Sequence, residues 1–466
     1  MGRFTGEPVT SLFARHALLP DGWASDVRLG WDATGCLTEV RAGATAQPGD
    51  ETGDWIVPGM INLHSHAFQR AMAGLAEVAG DHPDSFWSWR DLMYRLARHL
   101  TPEHIEAVAA QLFSECLRHG YTALCEFHYL QRDRDGACYA RPAEMAERVV
   151  AAARATGIGL TMLPVLYSHA GFGSAPLGAG QQRFRSGPDD VLRLVDALEG
   201  QRDGQLEVGA APHSLRAAGL DAIRTLVAGL PDGRPLHMHV AEQQLEVAQC
   251  LHATGARPLR HLFDAIDIDA RWCLVHATHL DAGELSALAA SGAVAGLCPT
   301  TEANLGDGLF ALAEFLGAGG RFGIGSDSHV SQSPVEELRW LEYGQRLQHQ
   351  RRNVAVGPGQ RQVGDFLWQA ALAGGARASG RPVGALASGM RADLLVLDAA
   401  HPNLADAGPD DVMNRLIFCG NDNLVRNVLV GGRWVVRDHR HVAQAEIAQR
   451  YQQTLARLPT LRTLRS

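Results

Sequence analysis

From residue 58 onward, short apolar runs alternate with segments of helical periodicity. That alternation constrains the fold more than any other feature of the chain. Runs that are apolar throughout mark strands buried on both faces, and strands separated by helices pair in parallel. The runs fall at 56–63, 123–127, 159–166, 206–211, 235–240, 273–276, 293–297 and 321–325. Eight strands, most followed by a helix, predict an α/β chain built as a (β/α)8 TIM barrel. Helices are expected at 102–118, 143–155, 189–198 and 335–350. The first carries Thr101 as an N-cap and Gly120 just past its end.

The chain ends read differently. Residues 1–57 hold short strand-like runs (11–19, 27–31, 37–42 and 54–57) punctuated by Gly and Pro. Such a unit is too small to fold alone. Two later stretches, 384–397 and 424–436, supply further strands, and a closing helix is expected over 443–458. Pairing the early and late strands gives one small β-sandwich domain built from both ends. The expected division is therefore 1–57 and 381–440 for the β domain, 58–380 for the barrel, and 441–466 for a C-terminal helical segment.

Composition removes several function classes. A net charge of −9 argues against a nucleic-acid or anionic-membrane partner. No window of about 18 apolar residues could span a membrane, and the first 19 residues lack a signal-peptide core. The eight cysteines form no Cys-x-x-Cys pair, which suits reduced thiols and a cytoplasmic protein.

Chemistry gathers where the apolar runs give out. The first ends in His64-Ser-His66, the fifth in His239-Val-Ala-Glu242, the sixth in His276 and the eighth in Ser326-Asp327. Residues i and i+2 of a strand share a face, so His64 and His66 present two imidazoles about 6–7 Å apart along the strand. Barrel enzymes place their sites at the C-terminal ends of the strands. Three histidines and one aspartate can bind one Zn2+ there, although Fe2+ and Mn2+ accept the same donors. Zinc lowers the pKa of a bound water to about 7. Glu242 stands ready to move a proton, and Asp327 or His276 to accept one from the water. The chain has no lysine, all 42 basic residues being arginine. A carboxylated lysine bridging two metals is therefore excluded, and a single metal is inferred.

His-x-His, His-x-x-Glu, His and Ser-Asp at successive strand ends resemble the amidohydrolase superfamily in its mononuclear deaminase branch. The segments Pro58–Ala76, Phe86–Tyr94, Cys298–Asp307 and Gly325–His329 resemble the formimidoylglutamate deiminases of histidine degradation. The resemblance implies hydrolysis of N-formimino-L-glutamate to N-formyl-L-glutamate and ammonia. It implies His64, His66, His239 and Asp327 as metal ligands, with Glu242, His276 and Asp327 catalytic. It assigns substrate contacts to Gln69, Arg90, Tyr129, His213 and Arg216, and it implies a homodimer. A small dicarboxylate substrate fits two arginines independently, because the guanidinium fork pairs with carboxylates.

Ordinary readings stand beside these. Most of the 21 histidines belong to helices, loops or the small domain, and His237 reads as packing. Phe86, Trp87 and Trp89 can simply cover the barrel mouth. His329 is a candidate substrate contact, and Glu302 and Asn304 face the site without an assigned role. The alternative function is a zinc deaminase of a heterocyclic base or nucleoside on the same scaffold, for which Arg90 would be dispensable. A metal-free scaffolding barrel is the alternative from another class; it would have no need of the ligand set.

Overall fold

The computed structural model describes residues 10–79, 84–357 and 359–459. Eight parallel strands carry the chemistry: β1 Met60–Ser65, β2 Tyr121–His128, β3 Gly159–Leu166, β4 in two pieces (Leu206–Val208 and Ala211–Pro212), β5 Leu236–Val240, β6 Trp272–His276, β7 Val294–Leu297 and β8 Arg321–Ile324. Neighbours pair in sequence order from β1 to β4 and from β5 to β8. Parallel bridges Ala210–Leu236 and Ser65–Asp327 join the two groups, so the path of neighbours returns to its start. The last junction is made by Asp327 N–H donating to His64 O (3.0 Å) and His66 N–H donating to Asp327 O (3.2 Å).

The run 56–63 does not form one strand. Glu51–Pro58 belongs to the terminal sheet, and β1 begins at Met60. Gly59 makes the switch. A Cβ there would overlap the Thr122 side chain, so the backbone passes close to β2 only without one. The strand 206–211 is likewise broken at Gly209, where a Cβ would overlap the Pro235 carbonyl.

The helices mostly begin and end within a residue or two of expectation. Pro102–His119 is capped by Thr101 Oγ1, which accepts from His104 N–H at 3.3 Å, and stops at Gly120, whose φ is +105°. The closing helix is Gln444–Leu455; residues 460–466 of the expected terminal segment lie outside the described residues. One long helix, Val363–Ser379, has no counterpart in the sequence reading. Leu367, Trp368, Ala371, Leu372 and Ala378 are buried, whereas Asp365, Gln369, Ala373 and Arg377, four residues apart, mark its more open side. It seats on the strands through Gly374 and Gly375: a Cβ on Gly374 would overlap the Phe322 carbonyl of β8, and one on Gly375 would lie 2.8 Å from Ile61 Cβ of β1.

Both chain ends do share a β unit, but its hydrogen bonding differs from a two-sheet sandwich. The strands run in one sheet ordered Arg440–His441, Arg433–Arg437, Val425–Val430, Leu394–Leu397, Glu51–Pro58, Ser11–Leu19, Gly22–Trp31, Leu37–Arg41. Leu394–Leu397 bonds antiparallel to Glu51–Pro58 on one edge and to Val425–Val430 on the other, which makes the sheet continuous. Leu12, Val27, Leu29, Ile56, Leu394 and Leu429 form its own buried core, separate from the main one. All eight cysteines are free. Among the described residues no helix is long and apolar enough to cross a membrane.

Gly374→Ala tests the helix seat. The added methyl must push the helix off β8, so a loss of about 1–3 kcal/mol and a lower Tm are expected by calorimetry. An unchanged Tm would show that the seat is loose.

Candidate metal centre and substrate cavity

The ends of β1, β5, β6 and β8 bring His64, His66, His239, His276 and Asp327 together. Ligand atoms of His64, His66 and His239 lie within 4.8 Å of one another, as do those of His64, His276 and Asp327. His64 Nε2 stands 3.0 Å from His239 Nε2. Asp327 Oδ1 lies 3.5 Å from His64 Nε2 and 3.3 Å from His66 Nε2. Backbone carbonyls set two of the rings. His66 Nδ1 donates to Phe127 O (3.0 Å) and His239 Nδ1 to His213 O (2.9 Å). Each Nε2 is then left as a lone pair facing the centre, the usual arrangement of a metal-binding imidazole.

Charge agrees with geometry. Burial pushes His64 down to about 3 and lowers His66 and His239 as well, so all three are neutral at pH 7. Burial alone would raise Asp327, but the His64, His66 and His276 rings hold it well below the carboxylate range. Three neutral imidazoles and one carboxylate converging on a single point fit one divalent cation.

His276 sits behind this centre with its ring stacked on His239 (5.5 Å between centroids). Its Nε2 lies 3.7 Å from both Glu242 Oε1 and Asp327 Oδ2, and its Nδ1 lies 3.3 Å from Glu302 Oε1. Burial would lower it, but the carboxylates of Glu242, Asp327 and Glu302 raise it to about 10. A cation held by the adjoining His239 and Asp327 would oppose that rise. Burial carries Glu242 up to about 7, against the pull of His276 and Arg216.

The backbone is strained at these same points. Ala241, His276, Ala277, Asp327 and His329 have φ between 44° and 65°, a left-handed conformation that costs non-glycine residues about 1–2 kcal/mol each. The strain turns the chain sharply at the ends of β5, β6 and β8 and aims the side chains inward.

Beside the centre lies a cavity of about 50 Å3. Gln69, Arg90, Tyr129, His213 and Arg216 all line it, together with His66, His239, Glu242, His276 and Asp327. Gln69 Nε2 donates to Tyr129 Oη at 2.8 Å. The Arg90 and Arg216 guanidiniums lie 4.6 and 5.6 Å from the Trp87 ring. Nε of both arginines is buried without a hydrogen-bond partner. Arg216 is 3.7 Å from Glu242, and no salt bridge engages Arg90 among the described residues. Arg90 stands on the helix Phe86–Ala97, capped by Ser85.

Asn304 and His329 fall outside the cavity, and His237 packs as expected. Asn304 is exposed and donates to Glu77 Oε1 at 2.8 Å, because the helix Pro299–Leu305 turns it outward while Glu302 points in. His329 is fully buried and does not line the cavity. Its ring contacts Ser65 Oγ (3.2 Å) and Ser326 Oγ (3.0 Å). His237 contacts the Ala378 carbonyl at 2.8 Å, a packing role. The sequence reading missed the network around His329. Ser65 donates to Glu126 (2.7 Å), Glu126 accepts from Ala67 N–H (2.8 Å), and Asn62 donates to Ser326 Oγ (2.6 Å). The available signal was Glu126, a carboxylate inside an otherwise apolar run. Tyr94 and Tyr167, which also line the cavity, were missed too.

His329→Ala removes the brace between β1 and β8 without touching the cavity. Zn2+ affinity should fall about 10- to 100-fold in a chelator competition, with the fold retained. Unchanged affinity would mean that the ligands hold their places unaided.

Comparisons with known proteins agree with this geometry. The profile of the "Amidohydrolase family" matches residues 55–435, and that of the "Formimidoylglutamate deiminase HutF, N-terminal domain" matches 9–54. The chain is 54% identical over 451 residues to the formimidoylglutamate deiminase of Pseudomonas aeruginosa, covering 97% of this chain and 100% of that one. It is 29% identical to a 5-methylthioadenosine/S-adenosylhomocysteine deaminase of Natronomonas pharaonis, over 86% of each. A crystal structure of an amidohydrolase from Brucella melitensis superposes with a TM-score of 0.92 at 47% identity, over 96% of this chain and 99% of that one. A zinc-bound adenosine deaminase from Xanthomonas campestris shares the fold (TM-score 0.80, 20% identity, 98% and 100% covered). The chain belongs to the amidohydrolase family and, within it, to the formimidoylglutamate deiminases.

Proposed function

We propose that this chain hydrolyses N-formimino-L-glutamate to N-formyl-L-glutamate and ammonia. The observation that carries the reading is the pair Arg90 and Arg216, lining one cavity beside the His/Asp cluster with Nε of each unpartnered. A dianion satisfies both; a neutral base or nucleoside would leave the buried Nε of each without an acceptor. The 54% identity to a formimidoylglutamate deiminase supports the same substrate.

His64, His66, His239 and Asp327 would hold one divalent ion, zinc in this reading, with Fe2+ or Mn2+ fitting the same donors. Such an ion supplies Lewis acidity that makes water a nucleophile near neutral pH. Arg90 and Arg216 seat the two carboxylates, and Gln69, Tyr129 and His213 complete the wall. The formimino carbon gains the water oxygen and loses its terminal nitrogen. The water proton passes to Asp327, whose Oδ2 lies 3.7 Å from His276 Nε2. Glu242, protonated up to about pH 7 through burial, delivers a proton to the departing nitrogen. Its proton is lost as pH rises above that value, so donation weakens on the alkaline side. The closed strand circuit is, in this reading, a (β/α)8 barrel with the terminal sheet as a small appended domain. A homodimer in the cytoplasm completes the reading on family grounds.

Ammonia release by the metal-loaded protein tests the substrate. Strong release from N-formimino-L-glutamate, with none from guanine, cytosine or adenosine, is expected. Release from a base alone would contradict the proposal. Arg90→Ala should raise KM about tenfold or more by removing a charge-assisted contact. Glu242→Gln should lower kcat about 10²- to 10⁴-fold while metal content stays at the parental level. Full turnover by Glu242→Gln would remove Glu242 from proton transfer.

A further inference from the structure

The wall of the cavity nearest Arg90 contains a hydrogen-bonded group of three: Tyr94, Tyr167 and Gln181. Gln181 and Tyr167 are buried, and both phenols line the cavity. Gln181 Oε1 accepts from Gly178 N–H at 3.0 Å. That bond fixes which way the amide faces, so the NH2 group must point at the phenols. Its two hydrogens go to Tyr167 Oη (2.9 Å) and Tyr94 Oη (3.3 Å). The two phenol oxygens lie 3.2 Å apart.

The protons can now be counted. Each phenol oxygen accepts from Gln181, so neither phenol proton can return to the amide nitrogen. One phenol donates to the other across the 3.2 Å contact. The second proton has no acceptor among the described residues, yet a hydroxyl donor kept from water costs free energy when left unmade. The open direction is the cavity. Arg90 is there too: it stands four residues before Tyr94 on the helix Phe86–Ala97 and lies 5.4 Å from the Tyr94 ring. Residues four apart on a helix share a face. Tyr167 meets His213 edge-on at 4.7 Å on the other side.

Resting on the dicarboxylate reading above, we infer that the Tyr94–Tyr167 pair, held as a donor by Gln181, gives its free phenol proton to the substrate carboxylate seated at Arg90. The pair determines specificity: it accepts an anion and rejects a substrate that offers a donor at that point.

The test uses the metal-loaded full chain and the double variant Tyr94→Phe/Tyr167→Phe. KM for N-formimino-L-glutamate should rise about tenfold to hundredfold, the loss of one hydrogen bond to a charged group, with kcat little changed. Two monocarboxylate analogues, N-formimino-4-aminobutyrate and N-formimino-L-2-aminobutyrate, locate the contact. The analogue whose turnover is indifferent to Arg90→Ala should be indifferent to the double substitution as well. Each single Phe variant keeps one free phenol proton and should lose several-fold less than the double. An unmoved KM in the double variant, equal losses on both analogues, or a single variant as damaged as the double would overturn the inference. If the double fails to fold, a KM rise of about tenfold or more in either single variant overturns the inference. A parent protein that does not turn over N-formimino-L-glutamate at all would instead overturn the dicarboxylate reading and this inference with it.

Discussion

The junction of β8 with β1 is the contact on which the site depends. Asp327 N–H bonds to His64 O and His66 N–H bonds to Asp327 O. Those two bonds close the circuit of parallel strands and also set the only carboxylate of the cluster against two of its imidazoles. Main-chain bonds fix the spacing, so no flexible side chain has to find its place. The left-handed φ at Asp327 and His329 is the local cost of turning the chain away at once after the junction. The Asn62–Ser326 and Ser65–Glu126 bonds sit directly beneath and keep the junction from slipping.

Burial then gives each group its charge state. His64, His66 and His239, shut away from water, stay neutral and offer lone pairs. The same exclusion of water lifts Glu242 to about 7, where it can still carry a proton at neutral pH. Asp327, surrounded by three rings, goes the other way. Two carboxylates that each lie 3.7 Å from His276 Nε2 are thus driven in opposite directions by their neighbours, which suits one to donate and the other to accept.

Much of this was legible in the chain, and for definite reasons. Parallel strands announce themselves because both faces are buried, and His-x-His at a strand end needs no tertiary information to share a face. The absence of lysine excluded a carboxylated-lysine bridge outright. What escaped was set by packing between distant segments. The switch at Gly59 depends on Thr122 from another strand. The helix Val363–Ser379 marks its open side with only Asp365, Gln369 and Arg377 among many alanines and glycines, a weak amphipathic signal. Glu126 was hidden in a run read for its apolar neighbours. Asn304 and Glu302 are two residues apart on a short helix, where a difference of about 200° in azimuth sends one into the site and the other to the surface. The proton count at Gln181 needs the Gly178 bond, which no sequence pattern announces.

The most direct measurement is a crystal structure of the metal-loaded protein with the product N-formyl-L-glutamate bound. The account predicts one metal on His64, His66, His239 and Asp327, with the product's two carboxylates at Arg90 and Arg216. A second metal, or carboxylates seated away from both arginines, would contradict it.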